Sequence, residues 1–171
     1  MNDINRVPIA FPSADERTEL VLEFQRAAAK LVRAGLLSQS SSTRFVLRVN
    51  QGRRKAEESR HRLAQLIVDV LVAVEDGTLT DGVHVRRSET GMLAVRAESV
   101  ARALFRAGRS QLTARATHDL LRFGHAFFPL VVVSTSERVC FGSVEDRFRT
   151  FVLDLAKAQE FVGIKPAVPS R

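Results

Sequence analysis

Leu20, Phe24, Ala27 or Ala28, Leu31 and Val32 repeat at helical spacing, which predicts an amphipathic helix in the first forty residues. Ser13 and Glu16 open it with a capping-box pattern, Gly35 stops it, and the segment before it, with Pro8 and Pro12, is expected to be an irregular arm. The polar run Ser38 to Thr43 is expected to be a loop. Phe45, Leu47 and Val49 then alternate with Arg44, Val46 and Arg48, which predicts a short half-buried strand, with Gln51-Gly52-Arg53-Arg54 as a turn. A continuous apolar stripe, Leu63, Leu66, Ile67, Val70, Leu71 and Val74, predicts a helix over 56–75.

After the breaks at Asp76-Gly77 and Asp81-Gly82, the runs Val83–Arg87 and Met92–Arg96 are separated by a segment of hairpin length, Ser88 to Gly91. Residues 98–107 form the next expected helix, with Val100, Ala101, Leu104 and Phe105 inward and Gly108 as its stop. Ser110 to Thr113 connects it to a helix over 114–124 that Thr113 caps, and Pro129 blocks any continuation. Leu130–Val133 and Val139–Phe141 flank an expected turn, Ser134 to Glu137; the apolar run Phe148–Leu155, a helical piece and the tail from Pro166 close the chain. No internal repeat or low-complexity tract is present. The expected class is α+β. Two short helices joined by a tight turn and followed by a hairpin outline a winged helix-turn-helix core, α-β-β-α-α-β-β, over 55–171. An arm, helix and strand extension occupies 1–54.

With 171 residues and 45% apolar content the chain can bury a core without staples, and disorder is excluded as its main state. A single cysteine, Cys140, excludes a disulfide framework and a multi-thiolate metal site. No apolar run approaches a membrane span and no signal peptide is evident, so a cytoplasmic protein without a membrane partner is expected.

Charge changes the picture most. Lys and Arg number 26 against 19 Asp and Glu, and all but Lys30, Lys55, Lys157 and Lys165 of those bases are arginines. A GC-rich genome favours arginine over lysine whatever the function. Arginine also grips phosphate in a two-point geometry that lysine lacks. The bases concentrate in residues 44–62 and 86–115, each net +5, on a chain otherwise mildly acidic. Such blocks are the electrostatic footprint expected of a polyanion binder, and duplex DNA is the expected partner.

In that reading Arg53, Arg54, Arg102, Arg106 and Arg109 contact phosphates, while Arg115, His118 and Arg122 on the second helix of the pair supply base readout. The competing assignment makes Arg115 and Asp119 a surface i,i+4 pair. The segment from Arg53 to Arg62 sits at a helix start that favours anions, although Glu57 and Glu58 already complement that dipole.

The stretch from Val83 to Leu104, Val-His-Val-Arg-Arg-Ser-Glu-Thr-Gly-Met-Leu-Ala-Val-Arg onward, resembles the hairpin-then-helix opening of winged-helix domains at the C-termini of conjugative relaxases and helicases of mobile elements. It is also similar to winged-helix tails on phage- and plasmid-type primases. The resemblance covers about residues 60–155 through element order and apolar spacing, and the extra N-terminal helix and strand depart from it. It implies a DNA-processing accessory role and transfers no residue-specific function.

Catalytic patterns are lacking. His61, His84, His118 and His125 are scattered, and neither a phosphate loop nor a Gly-x-Ser-x-Gly elbow occurs. Cys140 lies in an apolar Val-Cys-Phe run, as an inert buried thiol does. No enzyme activity, cofactor, metal or small-molecule substrate is expected. Eleven phenylalanines, with Phe24, Phe105, Phe123 and Phe151 at core spacing, are expected inside, and Phe127-Phe128-Pro129 is the candidate exposed aromatic patch. The expected function is therefore a non-catalytic DNA-binding accessory or regulatory protein. The alternative is a winged-helix protein-interaction module, a homodimer or part of a larger assembly, that exposes the Leu63–Val74 stripe or Phe127 and Phe128. A third option, binding of RNA or single strands, needs exposed aromatics.

Overall fold

The structure, a computed structural model, describes residues 14–142 and 147–164, with the backbone alone at 14–18, 21, 45, 49 and 53. Ser13, the irregular arm and the tail from Pro166 lie outside the described residues. The chain divides into two compact units, Met1–Arg54 and Lys55–Arg171.

In the first unit, helix α1 (Ala14–Arg33) ends as its glycine predicts. Gly35 has a φ of 71°, its N–H reaches the Val32 carbonyl, and the Leu36 N–H reaches the Leu31 carbonyl, a Schellman closure. Of its apolar positions Ala28 is buried, Phe24 and Val32 are half-buried, and Leu20 and Leu31 are exposed.

The expected loop, strand and turn over 38–54 are replaced by helix α2 (Gln39–Glu75). The serine run is a helix start rather than a loop: Ser38 Oγ accepts the Ser41 N–H at 3.2 Å. Leu47, on the supposed inner face of the strand, is 55% exposed. A strand there has no described neighbour to complete its ladder, whereas a helix satisfies each backbone group internally. Gly52 keeps a negative φ and continues the helix.

In the second unit the later part of α2 behaves as its spacing predicts. Leu63, Leu66, Ile67, Val70 and Leu71 are all buried in the main core, so this stripe is no exposed docking face. Strands β1 (Val85–Arg87) and β2 (Met92–Val95) form the expected antiparallel hairpin, closed by the Ser88 N–H to the Met92 carbonyl and by Gly91 at a φ of 77°.

Helix α3 (Ala97–Arg106) buries Val100, Ala101 and Leu104, but Phe105 points outward at 64% exposure. It lies one position beyond Leu104, about 100° around the helix, and so clears the core. Thr113 Oγ1 accepts the Ala116 N–H at 3.1 Å and caps helix α4 (Ala114–Phe127) as expected.

Strand β3 (Val132–Cys140) is continuous where two strands around a turn were expected. The polar residues Ser134 to Glu137 are taken up by two register shifts, and the chain reverses after Cys140 instead. Cys140 is half-buried rather than enclosed. Strand β4 (Arg147–Asp154) leads into helix α5 (Leu155–Phe161), which Asp154 caps at the Lys157 N–H.

The sheet is antiparallel, in the order β1-β2-β4-β3. Val85, Leu93, Val95, Val132, Phe151 and Leu153 join the helices in the main core, while Ala94, Val152 and Phe141 form a second, smaller cluster. This is the expected α+β class, with a second helix in place of the N-terminal strand. Among the described residues no helix is long and apolar enough to cross a membrane.

Candidate nucleic-acid interface

The sheet register creates a cleft. Strand β2 pairs with β4 only over residues 151–154 of the latter, so Arg147–Thr150 run past the end of β2 with β3 as their described neighbour. At that point the chain leaves β2 through Arg96 and enters α3. A cleft of about 900 Å³ lies here, lined along the length of α3, by His118 of α4, by the bulged Thr135 and Ser136 of β3, and by Phe148, Arg149 and Phe151 of β4.

Its lining is strongly cationic. Arg96, Arg102, Arg106 and Arg149 face one carboxylate among the described residues, Glu98, which is paired with Arg102. Arg96 is held in place: its guanidinium donates to the Val83 carbonyl at 3.0 Å, and its carbon lies 3.6 Å from the Phe148 centroid and 5.4 Å from that of Phe141. His118 meets Phe151 edge-on at 5.0 Å.

His84 completes the wall. The Thr80 N–H donates to its Nδ1 at 3.0 Å, so the neutral ring carries its proton on Nε2. Partial burial, then the Arg96 and Arg106 charges, hold its pKa below the ordinary 6.5. The depressed value means that the unfolded chain takes up this proton first. The stability contribution is therefore complete above pH 6.5 and is lost as pH falls from there through the lowered folded value. His84→Gln is expected to flatten the decline of unfolding free energy below pH 6.5, measured by urea titrations across pH; an unchanged decline contradicts this.

The residues singled out in the sequence separate into distinct places. Arg102, Arg106 and His118 line the cleft. Arg109 sits beside it in the chain but is paired with Asp76, whose carboxyl is held below its usual range by hydrogen bonds from Thr78 and by the Arg109 charge. Arg115 and Arg122 are exposed on α4, three residues before and four after His118, so the three share one helical face. Asp119 contacts His118 at 3.9 Å, and Arg115 is not among its ion-pair partners.

Arg54 is exposed in the first unit, and the Arg53 side chain lies outside the described residues. His125, at the end of α4, bonds the Val132 carbonyl at 2.9 Å and joins helix to strand. Phe127 is 45% exposed, whereas Phe128 is half-buried against Phe161 at 4.8 Å.

His84, Arg96, Phe148 and Arg149 went unassigned in the sequence reading. One signal was present for Arg96, an arginine placed between an apolar strand and a helix start, where a side chain has little choice of direction. Arg138, Arg147 and Arg149 also escaped it. Arg138 stands opposite Arg149 in the register, and like charges directly opposite are unfavourable in a sheet. Comparison of the chain with protein-family models, with curated proteins and with solved structures finds no match to any of them.

Proposed function

We propose that Lys55–Arg171 is a winged-helix module that binds duplex DNA and acts by binding alone. Element order supports the fold reading. A strand, two helices and a hairpin follow one another as β2-α3-α4-β3-β4, and β2 pairs with the last strand of the set. In such a module α4 is the recognition helix and β3–β4 the wing.

The observation that carries the function is the set of exposed arginines Arg106, Arg115, Arg122, Arg138, Arg147 and Arg149. They lie on α3, α4 and the hairpin, and none meets a carboxylate among the described residues. A polyanion supplies the missing countercharge, with Arg115, His118 and Arg122 nearest the bases. The resemblance of the hairpin and helix to mobile-element domains adds an accessory or regulatory role in DNA processing.

The alternative, a protein-interaction or dimerisation module, draws on Phe127, Leu130 and Val133, which are exposed close together in the chain. Hydrogen exchange of the full chain with and without a 30-bp duplex separates the two. DNA binding predicts new protection in Ala114–Phe127 and in the β3–β4 hairpin. Absence of protection there, together with a salt-insensitive dimer in light scattering, overturns it in favour of the alternative.

A further inference from the structure

The cleft at the end of β2 is more than a stretch of basic surface. Its volume of about 900 Å³ falls within the range of small-molecule sites, far more than a lone phosphate fills. Its walls divide by chemistry. Arg106 and Arg149 have no ion-pair partner among the described residues, while Arg102 is engaged by Glu98. Arg96 is held by the Phe148 and Phe141 rings, 3.6 and 5.4 Å from its guanidinium carbon, and by the Val83 carbonyl. A guanidinium so held in the lining of a cleft is a group on which a planar base can stack. His84 and His118 add ring donors, and Thr135 and Ser136 add hydroxyls of the kind that meet a sugar.

A divalent cation does not suit this lining, because among the described residues no group of acidic or histidine ligands converges. A wholly apolar ligand does not suit it either, since four guanidinium groups and two imidazoles stand among its lining residues.

We propose that this cleft takes a nucleoside phosphate, its phosphate held by Arg106 and Arg149 and its base laid on the Arg96 plane. The ligand is a free mononucleotide or an unpaired nucleotide at the end of a bound strand; the chemistry recognised is the same. The site goes beyond duplex binding through α4, though it shares Arg106, Arg149 and His118 with that surface.

The test begins with calorimetric titration of the full chain by deoxyadenosine 5′-monophosphate, by inorganic phosphate and by deoxyadenosine. The mononucleotide is expected to bind about tenfold or more tighter than phosphate, the margin of one stacked base. Arg149→Ala, at an exposed position, is expected to weaken both phosphate-bearing ligands. Arg96→Lys keeps the charge, loses the plane and is expected to remove the preference for the mononucleotide, with circular dichroism checking its fold.

A second arm compares a blunt duplex with the same duplex carrying one unpaired 3′ deoxyadenosine or one abasic residue. Mononucleotide binding in the first arm identifies the free nucleotide as the source. Its absence, with the adenosine tail about tenfold tighter than both blunt and abasic ends, identifies the strand. Equal binding of mononucleotide and phosphate, or no binding with equal affinity for all three duplexes, overturns the proposal. The first arm uses no duplex, so it stands or falls separately from the duplex reading.

Discussion

Gly124→Val lowers the unfolding midpoint by roughly 10 °C, while Gly52→Ala leaves it unchanged or raises it slightly. The two glycines occupy helices and look alike in the sequence, yet their surroundings are opposite. A Cβ at Gly124 meets Val132 Cγ2 at 2.6 Å and Leu63 Cδ2 at 3.1 Å, so α4 touches both β3 and α2 at a point with no room for a side chain. Both neighbours are wholly buried and Val132 is β-branched, so neither yields easily. Overpacking of this kind costs about 3 kcal/mol, which corresponds to the stated shift in a chain of this size. At Gly52 nothing lies within 4 Å and φ is negative, so alanine gains helix propensity of up to about 1 kcal/mol. Calorimetric melting of both variants checks the pair. A Gly124→Val protein that melts with the parent contradicts this packing of α4 on the sheet.

If the proposed duplex binding holds, affinity is expected to fall on the order of 10³-fold between about 50 and 200 mM salt. The exponent comes from counting cations that are free to meet phosphate. Arg102 and Arg109 are already paired with Glu98 and Asp76 and are left out of the count. On α3, α4 and the β3–β4 hairpin, Arg106, Arg115, Arg122, Arg138, Arg147 and Arg149 remain, about six contacts, each releasing close to one counterion. Fluorescence anisotropy at several salt concentrations gives the slope directly. A logarithmic slope near −5 supports the six; a slope near −1 contradicts them.

Much of the second unit was legible because its boundaries are marked by residues with one dominant conformation. Gly91 turns the first hairpin, Thr113 caps α4, and Pro129 stands just beyond its end. Gly108, at a φ of 68°, closes α3. The stripe from Leu63 to Leu71 is long enough for its period to be unambiguous. The alternation of Arg44 to Val49 is not: six residues fit both periods, and the choice depended on whether a partner strand existed. In the same way the run Ser134 to Glu137 has turn chemistry but is absorbed as bulges, since β4 lies alongside to hold it.

The cleft was only half legible. Arg102, Arg106 and His118 fall on helices whose faces can be read from spacing. Arg96, Arg149 and Phe148 come together through the pairing of β2 with β4, a contact between segments about sixty residues apart that no local pattern records.

The duplex reading is tested most directly by titrating a labelled 30-bp duplex with the parent chain and with Arg115→Ala/Arg122→Ala side by side. Both side chains are exposed and unpaired among the described residues, so the double variant is expected to melt with the parent. Loss of two contacts at about 1–3 kcal/mol each predicts an affinity at least tenfold weaker at the lower salt. An affinity equal to that of the parent, in a variant that remains folded, contradicts α4 as the recognition helix.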